Sequence, residues 1–169
     1  MKSSRLFLLR HAKAGWAQPG MRDFDRPLNE KGVADARALG LRMRDLGIHP
    51  EMTVCSTARR CRETLDLLAG EADAGMVVHT DALYSDDATG YLAEVRRHPD
   101  RNALMIVGHN PMTEDLAQAL AGSGDKAAAA ALARGFPTCG LAILRFDGGL
   151  SHAAPGKGVI EAFLTPSNA

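Results

Sequence analysis

Apolar residues fall along this chain in short unbroken runs that alternate with stretches of helical period. Leu6 to Leu9 is the first run, four apolar residues in succession, the pattern of a strand buried on both faces. Ala103 to Val107 repeats it, Met52 to Cys55 gives a second short buried strand, and Met76 to His79 gives a short strand expected at a sheet edge. Thr138 to Phe146 and Val159 to Leu164 close the chain with two more strands, joined by a turn at Asp147-Gly148-Gly149. Between the runs, Val33, Ala36, Leu39, Gly40, Met43 and Leu46 share one face of a helix that Asn29 caps and Gly47 ends. Ser56 or Thr57 caps a second helix, with Ala58, Cys61, Leu65 and Leu68 inward. A short helix follows from Thr89 to Arg97. Asn110, with Pro111 at the first helical position, starts another through Met112, Leu116 and Leu120. Alanine-rich Lys126 to Ala133 has high helix propensity. Ala14 to Leu28 and Leu83 to Gly90 lack any period and read as loops.

Strands alternating with helices predict an α/β fold, a three-layer α/β/α sandwich whose sheet is mainly parallel. The closing strand pair adds one antiparallel strand, expected at the edge of the sheet. A chain of 169 residues fits a single domain spanning 1–169, large enough to bury a full core without metals or disulfides. Twenty basic residues balance twenty acidic ones, which argues against a general nucleic-acid or membrane-surface role. The three cysteines show no C-x-x-C spacing and are expected to be reduced, mostly buried thiols. The first apolar run is far shorter than the roughly 7–15 residues of a secretory core or the roughly 18 of a membrane span. A soluble, cytoplasmic protein is the expectation.

The strand ends carry the chemistry. The first strand stops at Arg10-His11, the second leads into Ser56-Thr57-Ala58-Arg59-Arg60, and the third stops at Gly108-His109. In a parallel sheet these ends share one edge, where α/β proteins bind ligands. Two histidines and at least two arginines at helix N-termini suit phosphate, since guanidinium forks match its oxygens and a neutral imidazole attacks phosphorus. No glycine-rich phosphate loop is present, so the positive charge comes from side chains. A metal held by His11 and His109 with Asp86 or Asp87 is the competing use, opposed by two arginines that would repel a dication. Arg22 to Pro27 alternates in charge and either lines the pocket rim or pairs within itself. Trp16, the single tryptophan, either packs this loop down or lines the pocket mouth. Lys13, close to His11, either touches substrate or is exposed and idle. His49, His79, His98 and His152 fall in predicted turns or edges and read as surface residues.

Three segments in order carry a family resemblance: Arg10-His11-Ala12-Lys13, Ser56 to Thr64 (S-T-A-R-R-C-R-E-T) and Gly108-His109-Asn110-Pro111. Together they resemble the histidine phosphatase, or phosphoglycerate mutase-like, superfamily. Arg26 to Gly32 (R-P-L-N-E-K-G), the G-H-N-P and Phe136 to Gly140 (F-P-T-C-G) are similar to its SixA-type phosphohistidine phosphatases. The resemblance implies that His11 is the nucleophile, that Arg10 and Arg60 clamp the phosphoryl oxygens, and that His109 completes the phosphate pocket. It implies a metal-independent phosphatase with no cofactor, acting on a phosphohistidine of a protein of the histidine-phosphotransfer type. A small phosphate ester as substrate, or a non-catalytic phosphate-binding module, are the alternatives; nucleic acid and membrane are not expected partners. Larger family members carry a glutamate that protonates the leaving group. Here the corresponding region offers Asp86 and Asp87, with Glu94 further on, as candidate general acids.

Overall fold

Leu6, Leu8 and Leu9 are fully buried, and both halves of the sheet are built on the strand they belong to. The computed structural model describes residues 2–168. In chain order its elements are β1 (Ser3–Arg10), α1 (Glu30–Asp45), β2 (Met52–Ser56), α2 (Arg59–Ala69), β3 (Met76–Thr80), α3 (Ala82–Ser85) and α4 (Ala88–Arg96). They continue as β4 (Ala103–Gly108), α5 (Met112–Leu120), β5 (Ala121–Gly124), α6 (Lys126–Ala133), β6 (Leu141–Asp147) and β7 (Gly158–Leu164). The strands form one sheet in the order β3-β2-β4-β1-β6-β7-β5. β1, β2, β3 and β4 run parallel, so their carboxyl ends share one edge.

Alternate residues of the central strands face opposite layers. Leu6, Leu8, Val54, Leu104 and Ile106 pack with Tyr91, Val95, Leu116, Leu120 and Leu132 from α4, α5 and α6. Phe7, Leu9, Cys55, Met105 and Val107 pack with Ala36, Met43, Cys61, Leu65 and Leu68 from α1 and α2. This is the expected three-layer sandwich with one strand running against the rest. That strand is β6, and its place differs from expectation: it lies inside the sheet, antiparallel to both β1 and β7. The edge beyond β7 is taken by β5, which pairs parallel to it. β5 reads Ala-Gly-Ser-Gly, with no β-branched or aromatic residue to mark a strand; backbone pairing alone makes it one.

Several boundaries move for local reasons. α1 stops at Asp45, and Leu46 is 58% exposed rather than on the inner face. Ala58, not Ser56 or Thr57, is the N-cap of α2, and Pro111 rather than Asn110 caps α5. Asn110 still supplies a side-chain oxygen to Glu114 N, at 3.3 Å. β6 begins at Leu141, because Cys139 takes a left-handed backbone (φ 60°) and its N–H turns back to the carbonyls of Arg10 and His11, each at 3.1 Å. All three cysteines are free and buried, and burial pushes their thiols up in pKa. No helix among the described residues is long and apolar enough to cross a membrane.

Gly32 ties the first helix to the segment after β1. Asn29 N donates to Lys13 O at 3.0 Å, and a β-carbon at Gly32 would fall 2.1 Å from that same oxygen. Alanine there must push Lys13 away. Gly32→Ala is expected to lose about 1–3 kcal/mol, the usual cost of overpacking. A lower urea midpoint at unchanged slope is the readout; a wild-type midpoint would contradict this contact.

Candidate active site

β1 delivers Arg10 and His11 to the sheet edge, and their backbone is held from both sides. His11 N donates to Gly108 O and Arg10 N to Gly140 O, each at 3.1 Å. The His11 ring places Nδ1 2.7 Å from Ala12 O. A carbonyl only accepts, so Nδ1 carries the proton and Nε2 presents its lone pair. Arg60, at the start of α2, donates from Nε to that Nε2 at 3.3 Å. Its Nη2 lies 3.3 Å from His109 Nδ1, which places the His109 proton on Nε2, facing Ser56 Oγ at 2.8 Å. The two imidazoles stand 5.4 Å apart. One buried guanidinium thus touches both histidines.

The electrostatics follow from burial. Burial first, and then His109, Arg60 and Arg10, hold the His11 pKa down at about 3. Burial and Arg60 hold His109 at about 4. Both rings are therefore neutral at physiological pH. Arg10 donates from Nη1 to Phe136 O at 2.8 Å. Its Nε is buried with no partner, the one side-chain nitrogen or oxygen so placed among the described residues. Lys13, Ala14, Arg26, Asn110 and Thr138 complete the pocket around Arg10, His11, Arg60 and His109.

Asp23 and Tyr84, not picked out as site residues from the sequence, stand behind the pocket residues Arg60 and His109. Arg60 donates from Nη1 to Asp23 O at 2.9 Å and from Nη2 to Asp23 Oδ2 at 3.1 Å. The same carboxylate accepts from Tyr84 OH and Arg26 Nε, each at 2.9 Å. Partial burial raises the Asp23 pKa, but the hydrogen bonds of Tyr84 and Arg26 and the nearby Arg60 outweigh it and hold it at about 2. Tyr84 turns its ring edge toward His109, 5.5 Å away, and Phe24 packs on Tyr84 at 5.1 Å. The alternating charges at Arg22 to Arg26 do both things anticipated for them. Arg22–Asp25 and Arg26–Asp23 pair locally at 2.8 and 2.9 Å, while Arg26 also lines the pocket. Nothing in the spacing of the sequence marks Tyr84.

Asp86 and Asp87 are placed elsewhere. Asp87 caps α4, its Oδ1 accepting from Gly90 N at 3.0 Å, and Asp86 lies against Gly90; neither lines the pocket. Buried Glu94 is occupied by Arg97 and His98, at 3.1 and 3.2 Å. Among the described residues no group of three or more His, Cys, Asp or Glu side chains is placed to hold a metal ion. His49, His79 and His152 are exposed, and His98 is half-buried against Glu94. Arg59 pairs with Glu63 at 2.9 Å and Arg62 with Thr57 O at 2.8 Å, both on the exposed side of α2.

The model of the histidine phosphatase superfamily (branch 1) matches residues 6–84. An uncharacterized protein of Mycobacterium tuberculosis is 35% identical over 94% of this chain and 99% of its own length. A crystal structure from Agrobacterium tumefaciens, assigned as a SixA phosphohistidine phosphatase, is 37% identical, covers 96% of this chain and 98% of its own, and superposes with a TM-score of 0.84. A second structure so assigned, from Nakamurella multipartita, is 30% identical over 98% of both chains, with a TM-score of 0.85. The chain belongs to the histidine phosphatase superfamily. The segment matched by that superfamily's model contains Arg10, His11 and Arg60; His109 lies beyond it and is brought in by the pairing of β4 with β1, Arg10 opposite Gly108.

The neutral histidines have a measurable consequence. Their native pKa values of about 3 and about 4 lie below the ordinary 6.5, so as pH falls from 6.5 toward 4 the unfolded chain takes up protons that the native one refuses. Stability is full above pH 6.5 and declines below it, by up to about 1.4 kcal/mol per pH unit for each histidine. Urea midpoints measured from pH 7 to 4.5 are expected to trace this decline, and His109→Gln to make it shallower. A flat profile would show that the native state protonates these rings.

Proposed function

We propose that this chain hydrolyses phosphohistidine carried on a protein, through a phosphoryl intermediate on His11. The observation that carries the reading is the His11 Nε2 lone pair facing Arg60 Nε in a pocket where Arg10 Nε lacks a partner. A nucleophile and two cations short of an anion suit a phosphoryl group. In the first step Nε2 attacks phosphorus in line as the donor P–N bond breaks, and Arg10 and Arg60 follow the charge on the phosphoryl oxygens. The His11 ring gains positive charge as its P–N bond forms, and Ala12 O, already accepting from Nδ1–H, stabilises that charge. In the second step water attacks the phosphorus of phospho-His11, releasing inorganic phosphate and restoring the neutral ring.

The state of the carboxylates favours a phosphorylated imidazole over an alkyl ester. Asp23 is held ionised and has no proton to give, Asp87 caps a helix, and neither Asp86 nor Asp87 lines the pocket. A phosphorylated imidazole leaves as a neutral ring once its own second nitrogen is protonated, whereas a departing alkoxide needs a donated proton. The guanidiniums supply the positive charge, so the reading requires no metal. SixA assignments of the Agrobacterium and Nakamurella proteins agree with it.

Brief reaction with a labelled phosphohistidine protein is expected to leave acid-labile label on the enzyme and none on His11→Ala. Rates on that protein should exceed those on a panel of phosphate monoesters, and chelator should change neither. Faster turnover of an ester would assign the site to small molecules instead. Arg60→Lys is expected to lower kcat by about a hundredfold or more, because a point charge cannot replace the fork. Asp87→Ala, by contrast, should cost about 1 kcal/mol of stability as a lost cap and leave the chemical step intact.

A further inference from the structure

Trp16 has no role in the fold or in the pocket. It is 91% exposed, so it does not pack its loop down, and it is not among the residues that line the phosphoryl pocket. Tryptophan is among the residue types most enriched at the energetic centres of binding surfaces. The loop that carries it is built rather than loose. At its base Ala14 bridges to Leu28, Gly15 N donates to Pro27 O at 2.9 Å, and Gly15 O accepts from Arg26 at 3.0 Å. At its tip Met21 N donates to Gln18 O at 2.9 Å across Pro19 and Gly20. Gly20 has φ 84°, so this is a type II turn with proline and glycine at the positions that favour them. At its far side Asp23 is fastened to Arg60, Arg26 and Tyr84.

We infer that Trp16 is the anchor on which a phosphohistidine-bearing protein docks, its indole seated in an apolar patch beside that protein's phosphorylated side chain. The inference rests on the proposed function and extends it from the phosphoryl group to the surface that presents it. Position supports a partner larger than the pocket. Trp16 lies two residues beyond Ala14, which lines the pocket, and follows directly on Gly15, whose carbonyl is held by the pocket residue Arg26, so the loop carries it next to the mouth. A small phosphate held by Arg10, His11, Arg60 and His109 leaves the ring in solvent; a protein surface lowered onto the mouth covers it. Because the backbone on either side is already fixed, docking orders little beyond the indole itself, which is the condition for an efficient anchor. Lys13, exposed and lining the same mouth, adds a cation for an acidic group beside the patch.

The test compares the wild type with Trp16→Ala on two donors, a histidine-phosphotransfer protein phosphorylated on its histidine and phosphoramidate. The variant is expected to raise KM for the phosphoprotein about tenfold or more, with kcat little changed and phosphoramidate turnover unaltered. Trp16→Phe should recover part of the loss. As the single tryptophan, Trp16 should also shift its emission when the phosphoprotein is added to His11→Ala. Equal losses on both donors would overturn the inference, since the loop would then be arranging the catalytic groups. An unchanged KM for the phosphoprotein would overturn it as well. Failure of the underlying reading looks different: the wild type itself would turn over phosphoramidate and leave the phosphoprotein untouched, and the docking role would fall with it.

Discussion

The guanidinium of Arg60 is a buried cation that the protein only partly neutralises, and the site depends on that imbalance. Only 6% of the residue is exposed, and burying an unpaired charge costs several kcal/mol. Its donors go to two neutral imidazoles and to Asp23, the one carboxylate among its hydrogen-bond partners. Arg10 adds a second cation with a buried donor left over. The excess of positive charge does two things at once. After burial, the larger cause, it helps to keep His11 and His109 unprotonated, so that His11 has a lone pair, and it makes an anion the group that best completes the pocket.

The neighbours of Arg60 explain why its segment reads as it does. Thr64, four residues on, donates to Arg60 O at 2.7 Å and accepts from Ala12 N at 2.9 Å, pinning the turn after His11 to the helix that carries the cation. Glu63 accepts from Leu28 N at 2.8 Å and so fixes the end of the loop that supplies Asp23. Ser56 holds His109, and Cys61 packs against the same ring with Sγ 3.5 Å from Nε2. On the other face Tyr91 OH accepts from His109 N at 3.0 Å and donates to Leu83 O, tying the second histidine to α4 and α3. Positions in S-T-A-R-R-C-R-E-T that look merely polar are the fastenings of the two loops around the site.

How much of this was legible depended on whether local pattern or long-range contact decides. Four-residue apolar runs identified the strands at the heart of the sheet, because a strand buried on both faces needs little else, and their ends carried Arg10, His11 and His109. Parallel pairing then brought these together as expected. β5 escaped because Ala-Gly-Ser-Gly has no strand signature, and the antiparallel strand was expected at an edge although β6 pairs with β1 and β7 on its two sides. Asp23 and Tyr84 escaped as partners because their contacts span 37 residues, from Asp23 to Arg60, and 61 residues, from Asp23 to Tyr84. Asp86 and Asp87 were attractive as acids because a carboxylate in a loop reads alike whether it donates a proton or caps a helix. The hydrogen bond to Gly90 N makes Asp87 a cap, and Asp86 lies against Gly90 outside the pocket.

That last distinction bears on chemistry. A carboxyl group acts as an acid only if its surroundings favour the protonated form, through burial without a cation or beside another carboxylate. Asp23 meets the opposite conditions: two arginines and a tyrosine hydroxyl surround it, and it titrates at about 2. The arrangement that holds Arg60 in place thereby removes the proton that an alkyl leaving group would need. On the proposed function, positioning the cation and narrowing the leaving group are consequences of the same ion pair. A substrate whose leaving group brings its own proton is the one for which this costs nothing.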